Sequence, residues 1–346
     1  MLLSPRLLHR RALLRAGGAA MLAAPPGGVA AAAPAEPVPA AKPLSKVRFI
    51  WNPAALCNIV VGVAKDQGIF TKHGLDVETL FVGTDTAAIL EALSIGKADA
   101  TSTFLMRLMK PLEAGFDVRL TAGVHAGCSY LIASREAGIR TLQDLRGKRI
   151  GVSDLTGPSK FNYAIYLQKN GINPDTDVTW RVYPADVFPI AVEKGEIEAF
   201  VDVHPNSYYA LKRSNGRLFE LASSGTGEMG KRTCCVLAVG GRLLRNDRPV
   251  ATALTRAMVE AAVLVDARND IAVESAQRHS PRQVKPEEIG EMIASYPYDR
   301  ERGCPTGDAF RQHVESYAKD LLEVGILKPS TDPVRFARRY TVDLLG

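Results

Sequence analysis

From Val47 onward the chain alternates between two hydrophobic periods. "VRFIW" is a short apolar run of strand type, and "NIVVGVAKDQGIFTKHG" spaces its apolar residues at helical intervals and stops at Gly68 and Gly74. "LDVETLFV" alternates as a strand, "TDTAAILEALSIG" is a helix capped by Thr84 or Asp85, and "ADATST" is the next strand. The order is β-α-β-α-β, which makes parallel sheets with right-handed crossovers under helices. The same unit returns in "KRIGVSD", "GPSKFNYAIYLQKNG", "VTWRVYP", "DVFPIAVEKG" and "IEAFVDVHP". Aligning Gly96 with Gly195, an offset of 99, puts Asp99 on Glu198 and Ala100 on Ala199. The repeat predicts two α/β lobes of one plan.

Residues 1–35 follow a different pattern. "RLLHRRALLR" leads into the small, apolar "AGGAAMLAA", and "GGVAAAAPA" offers small-x-small cleavage sites near Ala33 or Ala35. This is expected to be an export signal, removed from the mature protein. Arg10 and Arg11 before Ala-Leu-Leu resemble a twin-arginine signal, with general secretion as the alternative. The apolar part is too short for the roughly 20 residues of a membrane span. Residues 36–45, rich in Pro and Ala, read as a disordered tether.

Charge changes the picture little. The chain has 43 Lys and Arg against 37 Asp and Glu, and four of its arginines lie in the leader, so 39 against 37 leaves +2 for the rest. No basic stripe argues for nucleic acid, and no nucleic-acid partner is expected. No Gly-x-Ser-x-Gly, His-Glu-x-x-His or Walker loop is present, and neither catalysis nor a cofactor is expected.

In open α/β sheets a ligand lies beyond the carboxyl ends of the strands, where helix N-termini direct unpaired N–H groups. In the first lobe this selects Asn52, Cys57, Thr84, Asp85, Thr86, Thr101, Ser102 and Thr103. In the second it selects Thr156, Ser159, Lys160, Asp202, His204 and Asn206. Thr84 and Thr86 read also as helix caps, Thr101 to Thr103 also as a polar strand end, and Lys160 as a solvated surface charge or as a cation facing an anion. Asp85 would repel an anion, which leaves an amine or zwitterion open.

"VGVAKDQGIFTKHGLDVE", "ILEALSIGKADAT", "GIRTLQDLRGKRIGV" and "EKGEIEAFVDVHP" resemble the solute-binding proteins of the nitrate, sulfonate and taurine class of ABC importers, which is also thiamin-pyrimidine-like. The resemblance runs from Val47 to about Arg268 and implies the type II periplasmic binding protein fold: two doubly wound α/β lobes joined by a two-segment hinge. It places lobe one at 46–130, lobe two at 131–232, and the return with C-terminal helices at 233–346. The crossings are expected near Tyr130–Ser134 and Ser223–Cys234. It implies a periplasmic monomer that delivers a small polar or anionic organic solute to importer permease subunits.

The five cysteines are the least expected feature. Because the crossings run close together in that fold, a disulfide from Cys128 to Cys234 or Cys235 is one reading. Adjacent Cys234 and Cys235, with Cys57, Cys128, His125 and His204, could instead bind a soft metal or metal complex, without the C-x-x-C spacing of a strong zinc motif. A third class is an enzyme resembling the pyrimidine synthases of thiamin biosynthesis, which carry a cysteine-rich motif in the return segment. This chain has only "TCCVLAVG" there.

Overall fold

The computed structural model describes residues 43–346 apart from Thr84 and Arg282. The leader, all but the last three residues of the tether, and the candidate Thr84 lie outside the described residues. Among the described residues no helix is long and apolar enough to cross a membrane.

Among the described residues ten strands form two five-stranded sheets. They are β1 (Ser45–Ile50), β2 (Leu75–Leu80), β3 (Ala100–Phe104), β4 (Val118–Ala126), β5 (Ser129–Ser134), β6 (Arg149–Val152), β7 (Thr179–Val182), β8 (Ala199–Val203), β9 (Leu218–Ser223) and β10 (Thr233–Gly240). The first sheet runs β2-β1-β3-β10-β4 and the second β7-β6-β8-β5-β9. Each has three parallel strands followed by two antiparallel pairings. The fourth strand of each sheet arrives by a crossing: β4 hands over to β5, and β9 hands over to β10. Two doubly wound lobes joined by two crossings result. Tyr130–Ser134, expected to be the first crossing, lies inside β5, and the chain crosses at Gly127 and Cys128 instead. An extended, wholly apolar run looks the same as a linker or as a central strand, and pairing with β8 and β9 decides the matter.

Central strands are buried on both faces, as parallel-type sheets require. In β10, Cys235, Leu237 and Val239 enter one core cluster, while Val236 and Ala238 enter another. In β5, Leu131 and Ala133 point to one side and Tyr130 and Ile132 to the other. That period of two lets one strand serve helices on both faces. The segment from Asn58 to Gly74, read as helical with stops at Gly68 and Gly74, follows a 3-10 turn at Leu56–Asn58 and divides into Val60–Asp66 and Ile69–Lys72. Gly68, at φ +66°, supplies the left-handed residue at the break.

The sequence repeat is a physical repeat. Asp99 accepts from the Arg48 backbone N–H at 2.8 Å and from its guanidinium at 3.1 and 3.2 Å. Glu198 accepts in the same way from the Arg149 backbone N–H at 2.7 Å and from its guanidinium. The acid's own N–H donates back in both lobes, to Arg48 O at 2.8 Å and to Arg149 O at 2.9 Å. Each clamp fixes the entry of a strand, so that Phe49 faces Ala100 and Ile150 faces Ala199.

The lobes touch. Ile165, on helix Pro158–Lys169 of lobe two, shares a core cluster with Leu105 and Phe310 of lobe one. Lys212 pairs with Glu288 at 2.6 Å and Lys169 with buried Asp320 at 2.5 Å, linking lobe two to the C-terminal helices.

Candidate functional site

The carboxyl end of β1 leads into a short 3-10 turn that turns Cys57 and Asn58 inward. Thr101 donates to Ile50 O at 3.1 Å, tying β3 to β1, and Ser102 Oγ donates to Asn58 Oδ1 at 2.5 Å. Tyr298 holds the turn from the other side, its hydroxyl donating to Cys57 O at 3.0 Å. Beside this turn run the two crossings, which meet through glycines. A Cβ on Gly127 would lie 2.1 Å from Gly225 Cα, so no side chain fits there. Ser129 N–H donates to Ser224 Oγ at 2.9 Å and Ser224 N–H donates to Ser129 O at 2.8 Å.

That packing gathers sulfur. Cys57, His125, Cys128 and Cys235 are all buried, and their ligand atoms lie within 4.8 Å of one another. Cys234 Sγ is 3.4 Å from Cys128 Sγ. A disulfide needs about 2.05 Å, and all five cysteines are free, so the expected bridge between the crossings is not formed. Asn58 Nδ2 donates to Cys57 Sγ and Cys235 Sγ at 3.9 Å each. His125 Nδ1 lies 2.8 Å from Ala126 O, and since a carbonyl only accepts, Nδ1 carries the proton. Hydrogen bonds from Cys128 and Cys235, working against burial, hold the Cys57 thiol well below its ordinary range. Burial opposes charge on His125, yet the negative charge of Cys57 and Cys234 raises it to about 9. Burial pushes Cys128 and Cys235 up.

The second lobe closes the site with aromatic and polar groups. Tyr130 stacks on His204 at 4.1 Å, and His204 Nδ1 meets Ser207 Oγ at 2.7 Å. Tyr296 lies 5.8 Å from both the His125 and the His204 rings. Burial lowers His204 to about 4, against the opposing charge of Cys57, so this imidazole is neutral at neutral pH. Asp202 Oδ1 accepts from Val203 N–H at 2.8 Å.

The structure therefore brings together Cys57, Ser102, Cys128, Cys235 and His204 from the sequence-derived set, and adds Asn58, Tyr130, Tyr296 and Arg107. Thr103 is buried beside Ser102. Arg107, on helix Leu105–Glu113, is lowered by burial, against the opposing influence of Cys235, Asp154 and Asp85. Its signal in the sequence is a lone cation in the apolar run "FLMRLM" directly after the polar end of β3. Other candidates serve local structure. Asn52 Oδ1 accepts from Ala54 N–H, and Asp85 caps helix Thr86–Ser94 through Ala88 N–H, with Thr86 as its first residue. Thr156 bonds Asp154 through N–H and hydroxyl at 2.8 Å each. Ser159 lies in the first turn of its helix. Lys160 lies over the Trp180 ring at 5.7 Å, a contact within lobe two. Asn206 begins helix Asn206–Arg213 and lines a separate groove of about 880 Å³ between lobe two and residues 283–288 of the C-terminal part. That groove is lined by Lys212 and Glu288, already paired, and lies away from the sulfur cluster.

A family model described as NMT1/THI5 like matches residues 58–265, more than half of the chain. The chain is 25% identical over 180 residues to the nitrate import ATP-binding protein NrtC of Synechocystis, a match covering 44% of this chain and 26% of that protein. It thus spans about a quarter of the length of the curated relatives it matches. Among solved structures, the alkanesulfonate-binding protein SsuA from Xanthomonas axonopodis bound to MOPS superposes with a TM-score of 0.68 at 17% identity, covering 88% of this chain and all of that one. The periplasmic nitrate-binding protein NrtA from Synechocystis superposes with a TM-score of 0.66 at 14% identity, covering 86% of each chain. These likenesses establish the two-lobed fold.

Proposed function

The chain belongs to the NMT1/THI5-like family, and from that premise we propose that it is a non-catalytic, extracytoplasmic solute-binding protein that hands a small polar or anionic organic solute to an ABC importer. The observation that carries this reading is the convergence of two like sheets: Asn58 and Ser102 meet at the strand ends of one lobe, and His204 of the other reaches the Tyr296 ring that also lies beside His125. Buried polar groups at the strand ends of both lobes suit a ligand that touches both and is released when they part. The export signal of the leader agrees with delivery at the outer face of a membrane.

The electrostatics narrow the solute. Arg107 is a largely buried cation within electrostatic reach of Cys235, and Asp85 and Asp154 are close enough to act on it. A sulfonate or carboxylate group would meet the guanidinium, while an ammonium on the same molecule would meet the carboxylates. A taurine-like zwitterion fits that pattern better than nitrate. Thermal-shift measurement with taurine, alkanesulfonates, nitrate, bicarbonate and neutral amino acids tests it. The expected result is a rise in melting temperature with the aminosulfonate largest. No rise with any of them, or conversion of one into a product, would overturn the reading.

A further inference from the structure

The sulfur cluster is not accounted for by a solute site. We propose that Cys57, His125, Cys128 and Cys235 form a binding site for one thiophilic divalent cation of the zinc class, placed where the two crossings meet lobe one. Three observations carry this. The first is the donor set itself: three sulfurs and one imidazole, all buried, with ligand atoms within 4.8 Å of one another. Around a tetrahedral zinc ion such atoms lie about 3.5 to 3.8 Å apart, which side-chain adjustment reaches. No carboxylate belongs to the set, so it suits a thiophilic cation and not magnesium or calcium.

The second observation is the imidazole. His125 is 0% exposed, and its Nε2 has no hydrogen-bond partner among the described residues. Its Nδ1–H is committed to Ala126 O at 2.8 Å. The charge of Cys57 acts on this ring, and a backbone carbonyl on Nδ1 is the arrangement that turns Nε2 into a metal ligand. The third is Asn58, whose amide donates to two of the three sulfurs. Apolar packing of thiols needs no such donor, whereas thiolates bound to a metal are steadied by one.

On binding, each thiol ligand and His125 Nε2 release any proton they hold to solvent, and His125 keeps the proton on Nδ1. Four separate segments become tied at one point: the turn after β1, the end of β4, the first crossing and the start of β10. The cation would thus hold the hinge to lobe one, sharing only Asn58 with the groups assigned to the solute.

The test uses the full chain, reduced anaerobically, stripped with a chelator and titrated with Co²⁺ alone. The expected result is one equivalent bound, with thiolate-to-cobalt charge-transfer absorption and tetrahedral ligand-field bands, displaced by Zn²⁺, and a higher melting temperature with Zn²⁺. Cys57→Ser and His125→Gln should each weaken binding roughly tenfold or more, while Cys304→Ser should leave it unchanged. Folded wild-type protein with five titratable thiols that gives no such spectrum overturns the proposal, whether or not the variants fold. So does equal loss in Cys304→Ser. Solute-induced thermal shifts are recorded with and without Zn²⁺, so failure of the metal site and failure of the solute reading show separately.

Discussion

The two lobes are alike where their strands begin and unlike where they end. At the beginnings, Arg48 grips Asp99 and Arg149 grips Glu198 with the same pattern of backbone and guanidinium bonds. Gly96 at φ +71° and Gly195 at +65° end the preceding helices in the same left-handed turn. At the carboxyl ends, lobe one presents Ser102, Asn58 and a nest of thiols around His125, whereas lobe two presents Asp202 and His204 under a tyrosine. Even the imidazoles differ: thiol charge raises one to about 9, and burial lowers the other to about 4. The beginnings build the scaffold and the ends build the site, so a repeat survives only where both halves do the same mechanical work.

Mutations can break that comparison. The largest effect is expected at the crossings, which belong to neither lobe. Gly127→Ala would drive a Cβ to 2.1 Å from Gly225 Cα, and should cost roughly 4 kcal/mol or prevent folding. Chemical denaturation measures it, and a loss under about 1 kcal/mol would show that the crossings do not pack as described.

The second concerns pH. His204 titrates at about 4 when folded and at about 6.5 when unfolded. Its folded pKa is depressed, so full stability holds above 6.5 and is lost as pH falls from about 6.5 to 4, by about 3 kcal/mol in all. His204→Gln should flatten the denaturation midpoint across that window. An unchanged acid slope would mean that the histidine is not buried neutral.

Third, Arg107→Gln should weaken solute binding by about tenfold to a hundredfold, with little change in the melting temperature of the solute-free protein. Calorimetry with equal affinity in both proteins would remove Arg107 from the site. Fourth, Asp99→Asn and Glu198→Gln should each cost roughly 1 kcal/mol, since both clamps are partly exposed to solvent. Unequal losses would show that the likeness of the two lobes is geometric and not energetic. Smallest of all, Lys160→Ala should change stability and binding by less than about 0.5 kcal/mol, because its contact with Trp180 is at the surface; a larger loss of binding would restore it as an anion contact.

The two-lobe plan was legible in the sequence because strand alternation, helical spacing and glycine stops are local signals. The acid of each clamp was legible too, at the common offset of 99. Its arginine was not, since Arg48 and Arg149 are 101 apart and a two-residue slip hides the pair. The cysteines and His125 were visible as candidates, but their convergence depends on β4, β10 and the crossings coming together from positions far apart in the chain. Arg107 went unseen because one charge in an apolar helix reads as a solvated face until the opposing lobe is in place. Lys160 shows the converse: a cation at a helix start suggests an anion site, and its ammonium lies over an aromatic ring on a neighbouring strand.

The most direct test is mass spectrometry of small molecules released by denaturing the mature protein purified from the periplasm of its own cells. The expected result is about one equivalent of a small organic anion or zwitterion per chain, whose readdition raises the melting temperature of wild type but far less that of Ser102→Ala and Arg107→Gln. Release of no such molecule, together with a melting temperature that no fraction of the periplasmic extract raises, would contradict a solute-binding role.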